Sequence, residues 1–218
     1  MKIGVVVAMK KELMPLLLLT NGYKEEKAYG CSVYTLSNAD VTLILSGVGE
    51  IQSAMAASIL ITKYNVERII NYGYAGATCN ELESGDLVNV TSVVHCDMDL
   101  TVFGNLPGQY DKHDRVDFPA DEKYFSDLGL PEKKLSSSDR FLDPGKERDT
   151  LSETFGQNIS DMEGAGIAVV CTKANIPFSI LKCISNSRNE THSDYKKFSL
   201  DGIAKCVQII YTKLLGSN

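Results

Sequence analysis

The chain has 218 residues, 44% of them hydrophobic and 23% charged, with a net charge of -6 and a pI of about 5.1. That length supports one α/β domain over residues 1–218, whose core buries roughly 70% of the unfolded surface. No block of Lys and Arg interrupts the acidic balance, which argues against a nucleic-acid partner, and no apolar run reaches the ~20 residues of a membrane span.

Six cysteines, Cys31, Cys79, Cys96, Cys171, Cys183 and Cys206, lack the paired spacing of a zinc site or a disulfide framework. Cys171, Cys183 and Cys206 fall in apolar runs, where a thiol behaves as a small buried hydrophobe. The sequence starts at once on a strand pattern, with no leader expected. A reducing cytoplasm is therefore the expected compartment.

Ile3 to Ala8 is a continuous apolar run, as in a strand buried on both faces. Glu12 to Leu19 predicts a helix that stops near Asn21-Gly22. Cys31 to Leu36 and Val41 to Leu45 predict two strands around a polar turn. Gly47-Val48-Gly49 opens a helix with Ile51, Ala54, Met55, Ser58 and Ile59 as its expected apolar face. Val66 to Tyr72 predicts a strand running into a glycine-rich turn, Gly73-Tyr74-Ala75-Gly76.

A strand is expected over Asp86–Val94, then an irregular stretch from 97 to 132 of the kind that forms functional loops or subunit contacts. Lys134–Ser138 predicts a strand, Glu147–Phe155 a helix, and Met162–Ala174 an apolar helix in which Gly164 and Gly166 permit close packing. Ile176–Ile184 predicts a buried strand and Tyr195–Leu215 the closing helix. This alternation implies an α/β fold with a parallel or mixed sheet, whose ligands bind past the carboxyl ends of the strands.

Five constellations sit at those ends. Glu12 follows the first strand, although a glutamate in a first helical turn often only complements the helix dipole. Ser46-Gly47-Val48-Gly49 and Gly73-Tyr74-Ala75-Gly76 could bring backbone N–H groups to an anion or a sugar, or could simply close turns. Neither has dinucleotide or P-loop spacing. Ser160-Asp161-Met162-Glu163 carries two acids into an apolar helix. Asp161 can serve as a cap, but a buried Glu163 needs a specific partner. Lys182 to Arg188 takes a buried strand into a polar cluster in which Asn186 either turns the chain or bonds a heterocycle edge. His95 with Asp97 and Asp99 has the composition of a metal site but suits an ordinary charged loop better; no metal or cofactor is expected.

Together MKIGVVVAMKKE, SGVGEIQSA, INYGYAGA, DMDLTVFG, SSDRF, SDMEGAGIAVVC and PFSILKCISN resemble the nucleoside phosphorylase/nucleosidase superfamily. Within it, they are most similar to the 5'-methylthioadenosine/S-adenosylhomocysteine nucleosidases. The resemblance implies a three-layer α/β/α fold with a mixed, partly barrel-like sheet, and hydrolysis of a purine N-glycosidic bond. It also implies a homodimer acting in methionine salvage. Glu12 then corresponds to the carboxylate that orients and deprotonates water, and Met162 and Glu163 to the pair beneath the ribose. Phe141 corresponds to the aromatic stacked on the purine, and the backbone of Leu142 to the groups reading its edge. Ser46, Gly47, Tyr74, Ala75, Gly76, Lys182 and Ser185 complete the implied substrate-binding set. Tyr195 and Phe198 fall where the 5' substituent is lined, and Leu100, Phe103 and Pro107 where a second subunit contributes.

Three positions depart from the nucleosidase pattern. Asn186 stands where an aspartate protonates N7, Tyr74 where a serine is usual, and Lys182 where an arginine pairs a carboxylate such as Glu163. An amide can hydrogen-bond N7 or a 6-oxo group but cannot deliver a proton, a contribution of typically 10²–10⁴-fold. Either Asn186 is an inactivating replacement or the site has diverged toward a 6-oxopurine; the accompanying Tyr74 and Lys182 favour divergence. Asn71 and Tyr72 lie where phosphorylases of the superfamily carry an arginine, and Glu12 would repel phosphate, so water is the expected nucleophile. Phosphorolysis and a catalytically weak nucleoside-binding protein remain as alternatives.

Overall fold

The structure is a computed structural model that describes residues 1–142, 146–190 and 201–216. Strand β1 (Ile3–Val7) lies between two parallel neighbours, β4 (Val41–Leu45) and β5 (Arg68–Ala77). Val5 and Val7 face one core and Val6 the other, so the apolar run is buried on both sides as expected. Beyond β4, β3 (Cys31–Leu36) and β2 (Tyr23–Ala28) pair antiparallel out to the sheet edge. The β2 sequence, YKEEKA, carries no apolar alternation and was not expected to form a strand. At an edge it needs none, since lysines and glutamates there face water and discourage further pairing.

On its other side, β5 pairs in parallel with β10 (Phe178–Asn186), which runs antiparallel to β6 (Leu87–His95). From β6 the sheet continues through β8 (Glu132–Ser137) and β9 (Ile159–Asp161) and returns to β5. Among the described residues these five strands close into a barrel-like ring, and β7 (Phe118–Pro119) is added to β6. Helices α2 (Glu50–Tyr64) and α4 (Gly164–Ala174) cover one core. Helices α1 (Lys10–Leu19) and α5 (Asp201–Leu215) cover the other. The fold is thus the α/β architecture with a mixed, partly barrel-like sheet. No helix among the described residues is long and apolar enough to cross a membrane.

Four expectations are corrected. The buried face of α2 is Glu50, Ser53, Ala56, Ala57, Ile59 and Leu60; Ile59 faces inward as expected, whereas Ile51 is 81% exposed and Met55 lies outside. Size explains this, because α4 comes so close that a Cβ on Gly166 would lie 2.2 Å from the Glu50 carbonyl oxygen. Only small side chains fit that contact. Second, Gly73 to Gly76 is not a turn but the continuation of β5, held by β10 as far as Gly76. Third, β10 ends two residues later than expected, which puts Ser185 and Asn186 inside the sheet. Fourth, Ile159–Asp161 is a strand, and α4 starts only at Gly164 with Glu163 as its N-cap. The stretch from 97 to 132 holds short 3-10 turns at Thr101–Phe103 and Glu122–Leu128 besides β7. Of the expected closing helix, Asp201–Leu215 is formed; Tyr195 and Phe198 lie outside the described residues.

Candidate active site

Past the carboxyl ends of β1, β5 and β10 lies a cavity of ≈ 190 Å³. Met9 and Glu12 reach it from the start of α1, and Tyr74, Ala75 and Gly76 from the end of β5. Ser160, Asp161, Met162 and Glu163 line it from β9 and the entry to α4, and Ser185 and Asn186 from the last turn of β10. Phe141 and Leu142, after β8, close the far side together with Arg140 and Arg148. The corrected strand ends are what bring these residues together.

Glu12 both caps its helix and spans the cleft. One oxygen, Oε2, accepts the Met9 N–H at 2.9 Å and caps α1, while Oε1 accepts the Tyr74 N–H across the cleft at 3.1 Å. A side chain at residue 73 would occupy this space, since its Cβ would sit 2.8 Å from Glu12 Oε1. Glycine is needed there for close approach. Burial raises the Glu12 carboxyl above its ordinary value, against the opposing pull of Lys182, the Tyr74 and Met9 N–H groups and Lys11. A carboxylate moved toward neutrality is a better proton acceptor.

Glu163 is 7% exposed and accepts the Gly49 N–H on Oε1 at 3.2 Å. The glycine-rich turn after β4 therefore meets a carboxyl group of the protein itself. Burial, and then Asp161, push Glu163 up to about 7, with Lys182 pulling the other way. Lys182 does not pair with Glu163 as expected. Its Nζ lies 2.8 Å from Asp161 Oδ2, and both side chains are 1% exposed. Burial works against the Lys182 charge, but Asp161 and Glu163 outweigh it and leave the ammonium raised. Asp161 also accepts the Gly164 N–H at 3.1 Å, so it caps α4 while it holds the lysine.

Asn186 is 1% exposed. Its Oδ1 accepts the Ser185 hydroxyl at 2.8 Å and its Nδ2 donates to the Glu190 carbonyl at 3.3 Å. Ser46 and Gly47 lie outside the cavity lining; the Ser46 hydroxyl turns to the Val7 and Gly47 carbonyls. Leu100, Phe103 and Pro107 also lie outside it, and Phe103 is 79% exposed. His95 Nδ1 sits 2.7 Å from the Tyr110 hydroxyl.

Arg148 escaped the sequence reading. It is fully buried and donates to the backbone carbonyls of Leu142, Ser187 and Arg188, among others. It therefore ties the segment carrying Phe141 and Leu142 to the one following Asn186, and turns the Leu142 carbonyl away to itself. Its only sequence signal is an arginine within an amphipathic helix, where a solvated side chain is the ordinary expectation.

A family model described as "Phosphorylase superfamily" matches residues 2–215. The chain belongs to the phosphorylase superfamily. A 5'-methylthioadenosine/S-adenosylhomocysteine nucleosidase of Buchnera aphidicola is 31% identical over 98% of this chain and 89% of its own length. An aminodeoxyfutalosine nucleosidase of Campylobacter jejuni is 28% identical over 92% of this chain and 93% of its own length. Among solved structures, the Campylobacter jejuni 5'-methylthioadenosine/S-adenosyl homocysteine nucleosidase superposes with a TM-score of 0.88 at 27% identity, covering 98% of both chains. Among the described residues, the buried acids are Glu12, Glu50, Asp161 and Glu163, with Lys182 among them.

Proposed function

We propose that this protein hydrolyses the N-glycosidic bond of a purine nucleoside such as 5'-methylthioadenosine or S-adenosylhomocysteine, releasing the base and a ribose derivative. The observation that carries the reading is the meeting of Glu12, Met162-Glu163 and Asn186 in one enclosed cavity. The nucleosidase names of relatives aligned over nearly the whole chain support it.

Glycosidic cleavage builds positive charge on the ribose while electrons move into the base. Glu163, beside Met162, supplies negative charge at the sugar and receives its hydroxyls. Glu12 accepts a proton from the attacking water, which its raised proton affinity favours. Phe141 covers the base, and Asn186 donates an amide N–H toward N7. No metal or organic cofactor enters these steps. Phosphate is disfavoured as the nucleophile because Asn71 and Tyr72 are committed inward, to the Val6 carbonyl at 3.0 Å and the Glu12 carbonyl at 3.0 Å.

A homodimer in the cytoplasm fits the same reading. Val102, Phe103 and Leu106 are large apolar side chains left exposed, which suits a subunit contact that would bring Leu100, Phe103 and Pro107 to a neighbouring cavity. A second substrate class, a 6-oxopurine nucleoside, is favoured by one observation: Asn186 offers a neutral amide where the first class calls for a proton donor. Release of free base from a panel of adenine and 6-oxopurine nucleosides decides between them. Turnover of adenine nucleosides supports the first, turnover of 6-oxopurines alone supports the second, and no release from any purine nucleoside contradicts both.

A further inference from the structure

Glu50 does not line the cavity, yet it is 5% exposed in the first turn of α2, behind Glu163. Its Oε1 is in short contact with the Ser137 hydroxyl on β8, and its Oε2 accepts the Gly166 N–H of α4 at 2.5 Å. The same Ser137 hydroxyl lies 2.5 Å from Asp161 Oδ1 on β9. A serine hydroxyl carries one proton and can donate to only one acceptor at a time. Two ionised carboxylates cannot both be held by it, so one of them must bring a proton.

Asp161 has the better claim to the charge. Lys182 stands 2.8 Å from its Oδ2, and the Gly164 N–H reaches its Oδ1. Glu50 has one backbone N–H and, among the described residues, no ion pair. The other groups around it are mostly acidic or neutral. Asp161 and Glu163 face it from β9 and the α4 N-cap, and Asp139 accepts its own backbone N–H at 2.7 Å. Cys96 and Tyr110 feel its charge from beyond β6. Lys182 lies behind Asp161.

We propose that Glu50 is a neutral carboxylic acid in the folded protein, donating to Ser137, which in turn donates to Asp161. In this chain of donors Glu50 is a positioning residue: it fixes the Asp161–Lys182 pair that stands beside Glu163. Burial, and then Asp161, push the Glu50 carboxyl up to about 8, in agreement with the proton count. When it ionises, Ser137 loses its incoming proton, Asp161 faces a bare carboxylate, and a further negative charge arrives next to Glu163. The positioning role rests on the nucleosidase reading above; the protonation state does not.

Glu50→Gln separates the two. A glutamine keeps both contacts of the neutral acid, its amide N–H donating to Ser137 and its carbonyl accepting from Gly166, but it cannot ionise. The infrared difference spectrum between wild type and Glu50→Gln near pH 7 should show loss of one protonated-carboxyl carbonyl band. A spectrum showing loss of a carboxylate band instead overturns the proposal whatever the enzyme does. The pH profile of base release tests positioning. Wild type should lose about tenfold for each pH unit above the Glu50 ionisation, Glu50→Gln should keep its rate there, and the two should agree within about threefold near pH 7. Unchanged alkaline behaviour in Glu50→Gln, or a collapse of its activity near neutrality with the fold intact by circular dichroism, overturns the positioning role. Should neither form turn over a nucleoside, the nucleosidase reading fails, while the infrared result still decides whether Glu50 carries the proton.

Discussion

Glu12 spends one carboxylate oxygen on its own helix and the other on the Tyr74 N–H across the cleft. A group held by two backbone donors is fixed in direction, which suits a residue that must aim a water molecule. Glu12→Gln keeps the size of the side chain, but it has one acceptor oxygen for the two backbone donors and cannot take a proton. Its expected effect is a loss of about 10²–10⁴-fold in kcat with a smaller change in KM, measured by base release. Asn186 gives the opposite prediction. If only the proton donor is missing for adenine nucleosides, Asn186→Asp should raise kcat on 5'-methylthioadenosine by about 10²-fold or more. An unchanged or lower rate, with 6-oxopurines losing turnover, would mean that the amide reads the base. The sequence displayed Glu163 because it breaks an apolar helical pattern, and Glu12 and Asn186 through the family resemblance. It did not display their partners. That Lys182 reaches Asp161 rather than Glu163 follows from the short β9, whose three residues point Asp161 inward, and three residues carry no periodicity to read.

At the scale of elements, the buried strands were the most legible part, because β1 is a continuous apolar run and β5 and β10 are largely apolar. The errors lie where polarity or size misleads. The β2 strand is charged yet paired, since edge strands need no apolar alternation. The α2 helix turns Ile51 and Met55 outward because α4 approaches its first turns through Gly166. The glycines of β5 look like a turn but serve close approach, Gly73 to Glu12 and Gly76 to Asn186. Gly166→Ala tests the helix contact. Its Cβ would fall 2.2 Å from the Glu50 carbonyl oxygen, so α2 and α4 must separate. The thermal midpoint should drop by roughly 5 °C or more. A midpoint unchanged within error would mean that the two helices do not pack this closely.

For the whole molecule, the buried acids make stability depend on pH in a defined direction. Glu50 and Glu163 hold protons in the folded state up to about 8 and about 7, against an ordinary value of 4.5. Between those values the folded chain binds more protons than the unfolded one, so stability falls as pH rises through the window. Their contribution is fully present below about 4.5 and is lost as pH passes about 7 and then about 8. Thermal unfolding followed across that range should show a midpoint declining toward alkaline pH, with a shallower decline in Glu50→Gln. A midpoint that rises over the window would contradict the raised proton affinity of these buried carboxyls.

In the proposed reaction this cavity directs water at the anomeric carbon of a purine nucleoside. Turnover of 5'-methylthioadenosine in phosphate-free water enriched in oxygen-18 tests it most directly, with mass spectrometry of the sugar product. Hydrolysis should give free base together with a ribose derivative that carries the heavy oxygen, and little of either from Glu12→Gln. Base release that requires phosphate, or a sugar product without the label, would contradict it.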